Sequence, residues 1–170
     1  MRSLSRLVLN FTVAMTVAAS SAFADTPIFR RGINLARIHN LPIADQSTPG
    51  AFAWPPFDGA LATIDDAELT RLRALGFDFI RLPVAPAPFF VQPERRRRIL
   101  MNELFATVRR LQDAGFGVLV DAHPDHSDIN WSAQRILAKT DRQAFDTYSI
   151  WLGEIALFCA TDPSLKPLLA

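Results

Sequence analysis

The chain has 170 residues, 49% of them apolar, with 18 lysines and arginines against 17 acids and a formal net charge of +1. That apolar share excludes a disordered chain, and so small a net charge excludes a polyanion partner such as nucleic acid. The single cysteine, Cys159, excludes an internal disulfide; within an apolar helical stripe it reads as a small buried hydrophobe, not a nucleophile.

Residues 1–24 have the three parts of a secretory signal peptide. Arg2 and Arg6 lead, an apolar run follows from Leu7 to Ala19, and Ala22-Phe23-Ala24 marks cleavage ahead of Asp25. The run is shorter than the ~20 residues that span a bilayer, and Asn10 interrupts it, which disfavours a membrane anchor. The expected product is one domain, residues 25–170, secreted or periplasmic and without membrane attachment after cleavage.

In chain order, residues 32–35 (GINL) form a first strand, followed by a loop rich in proline, glycine and aromatics that includes AFAWPPFDG. Asp65 then opens a helix, with Glu68 placed to close a capping box, a stripe of Leu69, Leu72 and Leu75, and Gly76 at the left-handed exit. FDFIRLPV reads as a strand that stops at proline, and APAPFFVQP as a loop. A longer helix starts near Pro93, with Leu100, Leu104, Val108 and Leu111 on its apolar face and Gly115 at its end. Arg95 to Arg98 lie in its first turns as a solvated face, although four cations there oppose the helix dipole.

Residues 116–126, FGVLVDAHPDH, bring a third strand, apolar enough to be covered on both faces, and end in two acids and two histidines. A last helix runs from a cap at Asp141 to about Cys159, with Phe145, Tyr148, Leu152 and Ile155 as its stripe. Residues 166–170 read as the start of a fourth strand. Such alternation predicts βαβ units and a parallel sheet, either open or closed as a (β/α)8 barrel. No Gly-x-Gly-x-x-Gly follows the first strand, which disfavours the dinucleotide-binding sheets. Polar residues gather where strands end: Asn34, Arg81 and His123.

Three segments together, RGINL (31–35), LGFDFIRLPV (75–84) and GFGVLVDAH (115–123), resemble glycoside hydrolase family 5, the cellulase family of retaining glycosidases. The resemblance implies an α/β fold that is the N-terminal half of a (β/α)8 TIM barrel, truncated near the start of the fourth strand. It implies a poly- or oligosaccharide substrate with β-linked O-glycosidic bonds, and no cofactor or metal. Arg81 would correspond to the family's arginine beside the nucleophile, where a guanidinium orients a carboxylate. His123 would correspond to the histidine that contacts sugar hydroxyls, and Asn34 to the asparagine of the first-strand motif.

The chain departs from that family in its chemistry. Retaining hydrolysis uses two carboxyl groups about 5–5.5 Å apart. In the family both are glutamates, one of them in an Asn-Glu-Pro, which this sequence lacks. Its glutamates, Glu68, Glu94, Glu103 and Glu154, all fall in predicted helices. No catalytic residue is therefore assigned, and the expectation is a fragment that is inactive by itself and self-associates through exposed barrel edges. Two other readings compete. One is a zinc-dependent hydrolase of metallo-β-lactamase-like type using Asp121, His123, Asp125 and His126, although Pro124 stiffens the backbone between those ligands. The other is a non-catalytic carbohydrate-binding protein that stacks sugar rings on Trp54, Phe57, Phe89, Phe90 and Trp131.

Overall fold

The computed structural model describes residues 29–57, 64–125, 128, 130–138, 140 and 142–162. At its centre is a parallel sheet of three strands in sequence order, β1 (Gly32–Asn34), β2 (Phe79–Val84) and β3 (Gly117–Ala122). Asn34 pairs with Arg81, Arg81 with Leu119, and Val84 with Ala122. Parallel neighbours need crossovers. Helix α1 (Asp66–Ala74) lies in the first; α2 (Ala87–Val91) and α3 (Glu94–Asp113) make the second. After β3 come a single turn, α4 (Ala133–Ile136), and the long α5 (Arg142–Thr161).

Side chains alternate across a strand, so Ile80, Leu82 and Val84 share one face with Val118 and Val120. That face joins Leu69 of α1, Leu100, Leu104, Val108 and Leu111 of α3, and Trp151 and Ile155 of α5 in one apolar core. The helix ends follow their sequence signals. Asp65 accepts from the Glu68 backbone N–H at 2.7 Å while the Glu68 carboxylate accepts from the Asp65 N–H at 3.1 Å, a complete capping box. Gly76 and Gly115 leave α1 and α3 at φ of +84° and +86°, where a Cβ would be strained. Pro83 lies inside β2 instead of ending it. The Ala85 N–H, two residues on, turns toward His39, so the donor that Pro83 lacks faces a stretch already past the end of β1.

The expected half barrel is overturned. The described residues form three strands in an open sheet, and half of an eight-stranded barrel has four. Strand–helix alternation is common to open sheets and barrels; closure depends on strand number and tilt, which no local pattern carries. Nor is β3 covered on both faces, since Leu119 is 44% exposed. The signal segment, the cap at Asp141, His126 and the strand expected over 166–170 lie outside the described residues. Leu75 is exposed because it caps α1 instead of extending its stripe. On α5 the buried stripe is Ala144, Trp151 and Ile155 with Tyr148 half-buried, whereas Phe145 and Leu152 are exposed. The arginine run is divided among local partners: Arg97 reaches Glu154 of α5 at 2.9 Å, Arg98 pairs with Glu94 one turn back, and Arg96 lies over the Trp54 ring.

At the amino end of the sheet's second face, Phe79 lies over Gly32 and Phe29 over Gly117, their rings 5.0 Å apart. A Cβ added at Gly32 would run into the Phe79 ring. Gly32→Ala is therefore expected to force Phe79 out of its place and to cost about 1–3 kcal/mol, the usual penalty of overpacking. A lower urea midpoint with an unchanged slope would record it.

Candidate functional site

The candidate site is built on the sheet face opposite the core and extends from the middle of β2, where Arg81 lies instead of at the strand end expected for it, to the carboxyl end of β3. Alternation along each strand places Asn34, Arg81 and Asp121 on this face, and His123 continues β3 by one more step, its N–H donating to the Val84 carbonyl at 2.8 Å. Arg81 is the hub. One terminal nitrogen donates to Asn34 Oδ1 at 3.3 Å and the other to Asp121 Oδ2 at 2.5 Å. The His123 ring closes the group, with Nδ1 3.2 Å from Asp121 Oδ2 and 3.5 Å from Arg81 Nη2. A carboxylate only accepts, so the closer of the two contacts, Nδ1 to Asp121, takes its hydrogen from Nδ1 and leaves the Nε2 edge of the ring for a ligand.

The side chains of Arg81, Asp121 and His123 are 37%, 28% and 51% exposed, so the group is reachable from solvent. An ion pair this open contributes no more than about 1 kcal/mol to folding. What the pair does is geometric: the planar fork of Arg81 locks an amide on one side and a carboxylate on the other. A hollow of about 370 Å³ lies between the end of β1 and the start of α1, lined by Asn34, Leu35, Arg37, Ile64 and Glu68; Arg81, Asp121 and His123 do not line it.

The sequence reading named Asn34, Arg81 and His123 for this site, and the fold brings all three together. Asp121, named from the sequence only as a metal-ligand candidate, is the acceptor that joins Arg81 to His123. Tyr148 went unnoticed as a neighbour. Burial first, and then the negative charge of Asp121, push its hydroxyl above the ordinary range, which puts α5 within the electrostatic reach of the site. Its signal in the sequence was weak, since Tyr148 also fits the apolar stripe of its helix.

His39 is held apart from this group. Its carbonyl accepts from the Ala85 N–H at 2.8 Å, so His39 flanks the end of β2 on the side opposite His123. Its ring is buried edge-on to Phe57, with Nε2 3.0 Å from Thr107 Oγ1. The Thr107 hydroxyl spends its one proton on the Glu103 carbonyl, so His39 Nε2 carries the hydrogen and donates. Burial lowers its pKa from 6.5 to about 4, which keeps the imidazole neutral.

Among the described residues no group of three histidine, cysteine, aspartate or glutamate side chains is gathered to hold a metal ion. The metal alternative needs His126, outside the described residues, and the Arg81 cation sits against the Asp121 carboxylate that the ion would need. Of the five aromatics considered for stacking, Phe57 and Phe89 are buried in the core. Phe90 packs its ring on Trp131, their centroids 4.5 Å apart, while Trp54 is exposed beneath the Arg96 guanidinium. Burial and then the charge of Asp162 push the Cys159 thiol up, away from nucleophilic use.

No family model, no curated protein and no solved structure matches the chain. The resemblance to glycoside hydrolase family 5 therefore stands on the residues of the three strand segments alone.

Proposed function

We propose that the chain binds β-linked poly- or oligosaccharides at the carboxyl edge of its sheet and does not itself cleave them. The observation that carries this reading is the hydrogen-bonded group Asn34–Arg81–Asp121–His123, contributed by three adjacent strands and open to solvent. Sugar hydroxyls both donate and accept. A site that offers a guanidinium, a carboxylate, an amide and an imidazole nitrogen on one surface can pair with neighbouring hydroxyls in a fixed orientation. In open α/β sheets, ligands commonly bind outside the carboxyl ends of the strands.

Hydrolysis is a different matter. Glu68 is committed to a helix cap and Glu154 to Arg97, and Glu94 and Glu103 lie on α3, so no glutamate pair stands at this edge. The open three-stranded sheet is also not the family's barrel. The proposal thus rests on the site and on the three strand segments, not on the fold.

The test is calorimetric titration of the full chain with soluble β-1,4-linked gluco-, manno- and xylo-oligosaccharides, with a parallel assay for reducing ends. Saturable binding to one series, lost in His123→Ala and without new reducing ends, is the expected outcome. Absence of heat with all three series, or the release of reducing ends, would overturn it.

A further inference from the structure

We propose that the chain forms a twofold-symmetric dimer through the edge of β3 that no described strand meets and the flank of α5 turned away from α3. The edge comes first. The N–H groups of Gly117 and His123 turn toward β2, so the alternate residues Val118, Val120 and Ala122 direct their N–H and C=O groups to the other side. No strand among the described residues meets them there. An edge that no strand covers readily pairs with another strand.

Helix α5 joins the core beneath the sheet through Trp151 and Ile155 and packs on α3 along one flank. Its approach to α3 is fixed by Glu154 on Arg97, Phe158 stacked on Phe105, and Asp162 on Arg109. At 3.6 residues per turn, positions 145, 149, 152 and 156 fall on roughly the opposite flank from 154 and 158. These are Phe145, Ser149, Leu152 and Ala156: uncharged, exposed, and spaced by four, three and four residues as in a helix–helix seam.

The order of sizes along that seam is what commits it to a second copy. When α5 is laid antiparallel on itself, Phe145 meets Ala156 of the other copy and Ser149 meets Leu152. Large residues fall against small ones throughout. A twofold interface requires this reciprocity, since every contact of one residue on another is repeated the other way round. Antiparallel pairing of β3 with its own copy obeys the same operator. The strip is about 30 Å long, the length of α5, and about 20–25 Å deep across two layers, roughly 600–750 Å² per copy. A standard specific interface takes ~800 Å² per partner, so a dimer of modest affinity is the size that fits.

Light scattering on the eluting full chain, at several loading concentrations, reads the assembly directly. The expected mass is twice that of the chain, falling toward one on dilution. Leu152→Glu puts two carboxylates into the seam, and the dimer constant should weaken by at least about tenfold with the circular dichroism unchanged. Ile150→Glu makes the comparison: that position is 63% exposed but off the seam, and its dimer should persist. As a second readout, equal amounts of Ser149→Cys and Leu152→Cys chains, both also carrying Cys159→Ala, should give a mixed disulfide dimer on mild oxidation. A wild-type chain that stays monomeric at every concentration overturns the proposal, whether the flank is open or covered by other residues of the same chain. So does a dimer indifferent to Leu152→Glu, which would use another face.

Discussion

Arg81→Met is expected to weaken oligosaccharide binding by about 10- to 100-fold while the chain stays folded. The size of the loss follows from what Arg81 holds. Its two terminal nitrogens reach Asn34 and Asp121, and Asp121 in turn orients the His123 ring. Hydrogen bonds to charged groups are worth about 1.5–3 kcal/mol when their partners are kept in place, and each 1.4 kcal/mol is tenfold in affinity. Methionine preserves the length of the side chain and removes all five donors. Asp121 then keeps only the imidazole, and Asn34 is free to turn. Folding should be nearly indifferent, because the ion pair is about a third exposed and contributes no more than about 1 kcal/mol. Arg81→Lys sharpens the test. A single ammonium cannot fork to an amide and a carboxylate at once, so lysine should recover only part of the affinity despite its charge. Calorimetric titration of the three proteins, with thermal melts beside it, gives both readouts. Equal affinities for wild type and Arg81→Met would remove Arg81 from the site and take the sugar-binding proposal with it.

What the sequence made legible was local. The capping box of Asp65 and Glu68, the glycines at 76 and 115, and the stripe Leu100–Leu104–Val108–Leu111 are each set by the chain within a turn or two, and each is where it was expected. The site residues Asn34, Arg81 and His123 were legible for a related reason. Asn34 ends β1 and His123 follows β3, as expected; Arg81 lies in the middle of β2 instead of at its end, and joins them because the parallel register sets it beside Asn34. Leu75 was misread for a local reason, its place at the helix cap, but the other misreadings involve longer-range facts. On α5, Phe145 and Leu152 fit the helical period as well as Ala144 and Trp151 do, and only the position of α3 decides which flank is buried. Whether a parallel sheet closes is decided by strands beyond those being read, so the barrel could not be inferred from three βα units. Asp121 is one of two acids at the end of the stretch 116–126, and nothing local separates it from Asp125, because its partner Arg81 is 40 residues away in the chain.

The second large effect concerns His39, whose burial couples stability to pH. In the unfolded chain its imidazole binds a proton with the ordinary pKa of 6.5; in the folded chain burial lowers that to about 4. Above pH 6.5 the ring is neutral in both states, and the fold has its full stability. As the pH falls toward 4, the unfolded chain takes up a proton that the folded chain refuses, so the equilibrium moves toward unfolding. At about 1.4 kcal/mol per pH unit over this interval, the loss approaches about 3 kcal/mol, a large part of the stability of a small domain. Protonation would not merely cost energy in the abstract. His39 Nε2 already donates to Thr107, and a protonated ring would carry a second N–H and a full charge beside Phe57. His39→Gln keeps an N–H within reach of Thr107 and removes the titration. Urea unfolding of both proteins at half-unit steps from pH 7 to 4 should show wild-type stability falling relative to the variant, the difference growing most steeply below pH 6. Asp45 and Asp78, whose pKa values are lowered by hydrogen bonds to Ser47 and to the Arg31 backbone, also take up protons at low pH, but equally in the two proteins. Their contribution cancels in the comparison. Parallel curves across the whole interval would mean that His39 is reached by water and that its burial does not govern the acid limit of the fold.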